Sequence, residues 1–464
     1  MHGTVVRGGY GIFSGLNQGS TYYAMRVENG VIQVNYNFTG CASACTAANA
    51  AAVGLQFPNV PFLPPGPALS SAIVPTGAPV PVVSGSGALG AQSFHGLDPN
   101  FVPPYAHEAE LGVEQALPGK MSLSVGYVGT RGMRLPVFLD ANLVGQTPHG
   151  SRSYNVIDTS AKLINQITVP VYLISDRRIP TLQSYNTGFS IANTWYNSLA
   201  VSVRRPFQNG LEVLGNYTWS HATDTGQVQG TNGTFYGGDT PLDPNNIKRD
   251  NGNSDIDIRN RFVMSFVYQP KIMEGNVWVK HILDDFLFSG GFTASGGQPI
   301  FLGMTGTIYS GGAGSYGSGG GIYGGAISSG SGLASTTRPP QIGRNSIYAP
   351  GYNNFDFRIS RDVPIHESIK LQFTGEAFNL LNRRIITGVN STYSQYSAAA
   401  APTASTPSPA CNLNTQTPGP SGSPLQGCIA PNTATGGSAF GAPSTTANTL
   451  YGARQLQISA KLFF

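Results

Sequence analysis

The chain closes on RQLQISAKLFF, positions 454–464. Counted in twos, Leu456, Ile458, Ala460, Leu462 and Phe464 fall on one side, and Gln455, Gln457, Ser459, Lys461 and Phe463 on the other. Successive side chains of a strand point to opposite faces, so this is a strand with one wholly apolar face. An aromatic residue at the terminus itself adds a second demand: whatever covers that face must also welcome a ring at its margin.

The same period recurs along the chain in MSLSVGYV (121–128), SLAVSVR (198–204), LEVLGNYTWS (211–220), RFVMSFVYQ (261–269), NFDFRIS (354–360) and IKLQFTGEA (369–377). In each, charge is confined to one face. With YAHEAELGVEQAL (105–117), the charged face collects Glu108, Glu110, Glu114, Arg204, Glu212, Arg261, Asp356, Arg358, Lys370, Glu376 and Lys461. Strands are expected near 4–13, 21–27, 30–38, 105–116, 121–128, 196–204, 211–219, 261–269, 286–295, 353–361, 368–378 and 454–464.

A water-soluble sandwich alternates too, so the connections decide the solvent. Short links at 117–120, 205–210 and 362–367, and a modest one at 270–285, alternate with long ones at 39–104, 129–195, 220–260, 296–352 and 383–453. Structureless loops of that length are foreign to a compact soluble domain. Short turns on one side and long loops on the other are the signature of an outer-membrane barrel, with the turns periplasmic and the loops extracellular. The closing strand follows a long loop and therefore runs inward. Tyr127, Tyr217 and Trp219 then stand at outer strand ends, and Tyr268 and Phe464 at inner ends, as the aromatic girdles of a barrel require. The fold class is all-β: a transmembrane antiparallel β-barrel with long extracellular loops, in the cell outer membrane. The charged face is expected to line the lumen, where opposite charges on neighbouring strands form ladders that stiffen the wall.

Composition agrees. Charged residues are 10% of 464, against about 25% in ordinary soluble domains. Hydrophobic residues at 40% and aromatics at 10% are too many for a disordered chain, although Gly 60 and Pro 33 are high. A net charge of +4 without a basic block gives no sign of a nucleic-acid partner. No apolar run approaches the ~20 residues of a membrane-spanning helix. Met1 leads directly into strand-like sequence, without the pattern of a signal peptide.

In order along the chain, TVVRGGYGIF, PYAHEAELGVEQALPGKMSLSVGYVGTRGMRL, NGLEVLGNYTWSHATD, DIDIRNRFVMSFVYQP, SGGFTASGGQPI, EAFNLLNRR and the closing RQLQISAKLFF resemble the TonB-dependent receptors of the Oar-like type. The resemblance implies a 22-stranded barrel, plugged from the periplasmic side, that imports scarce substrates with energy from TonB. Against that pattern the chain holds about twelve strands and no recognisable plug, regulatory-like domain, TonB-contacting segment or signal peptide. Residues 1–464 are therefore expected to be the C-terminal part of a longer receptor, reaching TonB only through an N-terminal part that is not in this sequence. The family also implies that Leu462 and Phe464 belong to the terminal signal read by the barrel-assembly machinery. Other partners would be outer-membrane lipid and an imported substrate that the sequence does not identify. A porin-like channel and a barrel-anchored adhesion protein are the alternatives.

Remaining motifs point to no catalyst and no cofactor. GGAGSYGSGGGIYGG (311–325) lacks the strand, helix and Lys–Ser/Thr of a phosphate loop. The seven histidines form no ligand spacing, and no GxSxG elbow sits near a base. In DTPLDPNNIKRDNGNSDIDIRNR (239–261), Asp239, Asp243, Asp250, Asp255 and Asp257 offer oxygens for Ca²⁺, but the spacing is not that of an EF-hand and the segment is also basic. It reads as a solvated extracellular loop ending on an Asp/Arg network. Cys41/Cys45 and Cys411/Cys428 are disulfide candidates in an oxidising compartment, or else free thiols.

Overall fold

The computed structural model describes residues 3–16, 93–148, 150–160, 162–173, 176, 178–179, 184–226, 243–270, 286–305, 321–323, 339–366, 369–398, 425–446 and 452–464. Ten strands carry the architecture: β1 (Thr4–Ser14), β2 (Tyr105–Leu117), β3 (Met121–Asp140), β4 (Ser184–Gln208), β5 (Leu211–Asp224), β6 (Asn260–Tyr268), β7 (Phe286–Ser295), β8 (Tyr352–His366), β9 (Ile369–Phe378) and β10 (Gln455–Phe463). They pair antiparallel in sequence order, each with the strand before and after it, from β1 to β10. The path is open: among the described residues β1 and β10 each have one neighbour. All ten coincide with expected strands, whereas the expected strands 21–27 and 30–38 lie outside the described residues.

The short turns have the backbone their sequences require. Asn209 and Gly210 join β4 to β5 with φ of 51° and 75°, the paired left-handed residues of a two-residue hairpin whose twist matches its strands. A Cβ at Gly210 would also lie 2.0 Å from the Gln269 carbonyl oxygen, so the turn is closed to any other residue. Between β2 and β3, Gly119 and Lys120 take φ of 75° and 55°.

Register fixes the faces without reference to what surrounds them. Residues opposite one another in a ladder share a face. Val125 opposes Val113 and Val201, Val201 opposes Tyr217, Tyr217 opposes Phe262, and the row runs on through Ala294 to Asn353. Followed across the sheet in this way, one face holds Leu123, Val203, Phe266, Phe288, Ile359, Leu371, Leu462 and their like. It is open to the surroundings, with Leu111 55% and Ile458 88% exposed. An aromatic ladder crosses it: Phe262–Phe292, Phe292–Phe355, Phe355–Phe357, Phe357–Phe288 and Phe288–Tyr268 have centroids 6.1–6.5 Å apart. In water such a band would drive aggregation; in lipid it is the solvated face.

The outer ends depart from expectation. β3 was expected to stop at 128 and β4 to begin at 196, yet they pair on to Asp140 and Asn186. A bulge interrupts the pairing between Gly132 and Leu135. Beyond the bilayer, alternation is no longer enforced by lipid, so sequence periodicity ends while backbone pairing continues. Nor are the long connections structureless. Gly150–Ile157, Leu163–Leu173, Gly303–Thr305, Gly321–Tyr323, Thr392–Ala398 and Leu425–Pro431 form a second, six-stranded sheet. Apart from the hairpin of Gly150–Ile157 with Leu163–Leu173, several of its pairing partners lie far apart in sequence, which local propensity does not report.

Candidate functional site

All eleven charged residues expected on one face do share one. Glu114 opposes Ser124, Ser122 opposes Arg204, Arg204 opposes Leu214, and Leu214 opposes Ser265. From there the face continues through Gly291 and Asp356, and through Arg358 opposite Glu376 opposite Gln457, to Lys461 opposite Gln372. Glu110 and Glu108 join it two and four residues from Gly112, and Glu212, Arg261 and Lys370 by the same alternation. Few of them meet a charged partner directly. Arg358 Nη1 lies 3.7 Å from Glu376 Oε1. Glu114 Oε1 lies 3.3 Å from Arg7 Nη1, a residue that its place in TVVRGGYGIF could have added to the set. Both pairs are partly exposed and contribute little to stability. Asp356 instead accepts from Asn354 Nδ2 at 2.9 Å and from the Asn379 amide at 2.8 Å. Around Asp356, Arg358 and Glu376, with Ser265, Val267 and Ser289, opens a cavity of about 310 Å³.

The most ordered chemistry lies elsewhere, at the outer end. There the strands β3, β4 and β5 stand proud of the girdle, and segments 243–259 and 339–351 are bonded onto them. Asp224, at the tip of β5, forms an ion pair with Arg344, and both side chains are 1% exposed. Arg344 Nη2 also donates to the Asp224 carbonyl at 2.8 Å, and its Nε to the Asp250 carbonyl at 2.9 Å. Asp257 accepts from the Ala222 amide at 2.7 Å, from Arg259 Nε at 2.8 Å and from the Tyr348 hydroxyl. Asn253 and Asn345 exchange amide-to-carbonyl bonds of 2.9 Å each way. Backbones close up to make this possible: a Cβ on Gly252 would sit 2.5 Å from the Arg344 carbonyl oxygen.

The stretch expected to be a solvated loop is exposed at many positions but pinned at a few buried ones. Asp250 and Asp257 are 2% and 1% exposed. Their carboxylates and carbonyls anchor neighbouring segments, and such buried groups persist only when bonded. Asp239 lies outside the described residues. Among the described residues no group of acidic, His and Cys side chains is disposed to hold a metal. Cys428 is fully buried and disulfide-bonded. Cys41, Cys45 and Cys411 lie outside the described residues, as does most of the glycine-rich stretch 311–325.

A second knot ties the 163–173 strand to this platform. Asn245 Nδ2 donates to the Tyr172 hydroxyl at 2.8 Å and to the Gln146 carbonyl at 3.0 Å, while its Oδ1 accepts from the Gly145 amide at 2.7 Å. Tyr172 donates in turn to Asp243 Oδ1 at 3.2 Å. Burial, reinforced by the Asp243 carboxylate and opposed by the Asn245 amide, pushes the Tyr172 phenol up from its ordinary 10.0 to about 12. A raised value means that the folded state holds the proton more tightly. That stabilisation is whole below pH ~10 and lost as pH climbs towards ~12, a difference of about 2–3 kcal/mol. Alkaline melting of Tyr172→Phe should accordingly show a shallower fall between pH 9 and 12 than the parent; equal slopes would remove Tyr172 from the account.

Ten strands paired in sequence order, one apolar face and one polar face, short turns at one end and a folded platform at the other describe a membrane wall. The family description "Outer membrane beta barrel domain" matches residues 1–457. The chain belongs to this family of outer-membrane β-barrel domains. Its place is the cell outer membrane, with membrane lipid as the partner of its apolar face. No curated protein matches the chain. Among solved structures, it is similar to Pseudomonas aeruginosa FpvA, determined with bound heterologous pyoverdines and iron, at 12% identity over 63% of this chain and 25% of that one, TM-score 0.33. It is also similar to the ferric-catecholate import receptor Fiu of Escherichia coli K12, at 14% identity over 63% and 26%, TM-score 0.31. The outer-membrane transporter YddB of Escherichia coli matches at 10% identity over 65% and 31%, TM-score 0.32. The chain spans about a quarter to a third of the length of these three.

Proposed function

We propose that the chain is barrel wall and outer face of a TonB-dependent receptor of the Oar-like type, serving energised uptake of a substrate across the outer membrane, and that it is not a catalyst. The observation that carries this reading is the platform. Segments from three of the long connections are locked together by buried ion pairs and reciprocal amide bonds at the outer end, as a surface built to present a fixed shape. An open diffusion pore has no need of it. The ordered run of sequence segments shared with that receptor family supports the same reading.

The chain also reads as part of a larger wall, its C-terminal portion. Among the described residues β1 and β10 each have an unpaired edge, and unpaired backbone groups in lipid cost several kcal/mol apiece. Further strands beside them would remove that cost. The plug, and with it the contact to TonB, would belong to an N-terminal part, and Leu462 and Phe464 at the inner end of β10 would be read by the barrel-assembly machinery.

Two measurements test the proposal. In planar bilayers the protein should give no steady open-channel conductance; stable ohmic steps would favour a porin-like channel. In competitive growth under iron, cobalamin or glycan limitation, deleting the gene should cost fitness in one medium, and the cost should vanish in a strain already lacking TonB. Additive costs in that strain would overturn energised uptake.

A further inference from the structure

On the lipid-facing rows, charge is absent through the middle and single-signed at the rims. From the short turns to the row of Arg131, no outward side chain on the ten strands is Asp or Glu. Arg205 and Arg361 stand on these rows near the inner rim. At the outer rim stands a group with more structure. Arg131 opposes His107 on β2 and Trp195 on β4, one row above Gly129 and two above Tyr127 of the girdle. His107 Nδ1 lies 2.6 Å from the Tyr10 hydroxyl, and the two rings stack at 6.0 Å. Tyr105 meets His107 edge-on at 5.5 Å, and the guanidinium of Arg134 lies 5.6 Å over the Tyr105 ring.

Arg134 is the informative member. Its φ is +58°, in the left-handed region, where a long side chain is uncommon and where Gly or Asn sits with less strain. It occupies the bulge between Gly132 and Leu135, and bulges of this kind re-aim a side chain. Here the re-aimed guanidinium ends on the lipid-facing side, against Tyr105. Among the described residues neither Arg131 nor Arg134 has an acidic partner, and both are exposed. Two guanidiniums set on one rim without a counter-charge repel one another, which costs stability unless an anion joins them. The strained backbone and the uncompensated charge are independent observations, and they point the same way.

We propose that Arg131, Arg134 and His107, framed by Tyr10 and Tyr105, form a site on the outside of the barrel for the phosphate groups of the outer leaflet's phosphorylated glycolipid. The site lies just above the girdle, at headgroup depth, where guanidinium forks match phosphate oxygens. The tyrosine rings give the sugar and acyl boundary an amphipathic surface. The lipid would be held as a fixed neighbour of β1–β3, against the base of the platform.

The test uses the full chain assembled in the outer membrane of a Gram-negative host and extracted in mild detergent. The amount of co-purifying bisphosphorylated lipid A per protein is then measured by mass spectrometry. Arg131→Gln and Arg134→Gly should each lower retention about fivefold, the size expected of one basic residue at an anionic surface. Arg134→Gly suits its own backbone, so heat-modifiable migration should be kept, and the loss of lipid cannot then be laid to misfolding. Arg205→Gln, at the inner rim, should leave retention unchanged. In exchange assays, dephosphorylated lipid A should compete poorly, and phosphatidylglycerol vesicles should compete less well than bisphosphorylated lipid A. Undiminished retention in the outer-rim double variant would overturn the proposal. So would equal competition by phosphatidylglycerol, which would reduce the site to a nonspecific basic rim.

Discussion

Arg344→Met should destabilise the outer platform by about 3–5 kcal/mol. The guanidinium and the Asp224 carboxylate it faces are both 1% exposed, so the substitution strips a buried anion of its counter-charge. What then remain for the Asp224 carboxylate are the Gly226 amide at 3.0 Å and the Ser254 hydroxyl, neither of them charged. The same change removes donors to the Asp250 and Asp224 carbonyls, which unpins segment 339–351 from β5 and from the turn at 247–250. Met keeps most of the volume, so a cavity is not the cause. The second variant isolates the charge: Asp224→Leu combined with Arg344→Met removes both ions, and replacing a whole buried pair by apolar groups is often neutral. Its stability should return most of the way. Urea titration in liposomes, read through Trp195 and Trp219 at the outer ends of β4 and β5, measures both. A single variant within 1 kcal/mol of the parent, or a double variant no better than the single, would mean that the pair is incidental to the platform.

The legibility of this chain follows the solvent. Where lipid lies on one side and polar interior on the other, a slip of one residue reverses every side chain, so period and register are written into the sequence. That is why the boundaries of β6, β7 and β10 were readable to within a residue or so, and why Glu376 and Arg358 could be set on one face before their 3.7 Å separation was known. Above the girdle the constraint lapses. Asp224, Asp257 and Arg344 are polar residues in polar stretches, and nothing local distinguishes a solvated aspartate from one buried at 0–1% exposure. The partners that tie them to other segments lie 35 to 120 residues away. The repeated Asn and Gly of DNGNSDIDIRN were the available signal: they mark tight turns and close backbone approach, which in a long loop implies folding onto something. Arg134 was hidden for the opposite reason. It sits in TRGMRLP, where the alternation breaks, and only the bulge reveals on which side its charge emerges.

Val203→Arg should cost about 2–4 kcal/mol, and Ser202→Arg, its neighbour in the same strand at the same depth, less than about 1. Val203 lies opposite Leu123 and Gly215 on the apolar face, four residues from Leu199 in the girdle row and six from Asn209 of the turn. An arginine there must hold a charge near mid-bilayer, or reach for an interface about half a strand away. Ser202 lies opposite Ser124 and Asn216 on the other face, where an added guanidinium meets polar groups. Val201→Arg, one row from the girdle, and Leu371→Arg, two residues from the start of β9, should cost less than Val203→Arg, because the penalty falls towards the interface; Gln372→Arg, which can still face Asp362, should be mild. Heat-modifiable migration gives the yield of assembled protein, and denaturant titration in liposomes gives the free energies. A loss greatest at Val203, smaller at Val201 and Leu371, and absent at Ser202 and Gln372 requires both the facing and the depth assigned by the ladder. Equal tolerance at Val203 and Ser202 would contradict the facing, and equal cost at Val203 and Leu371 would contradict the depth, so the two halves of the assignment fail separately.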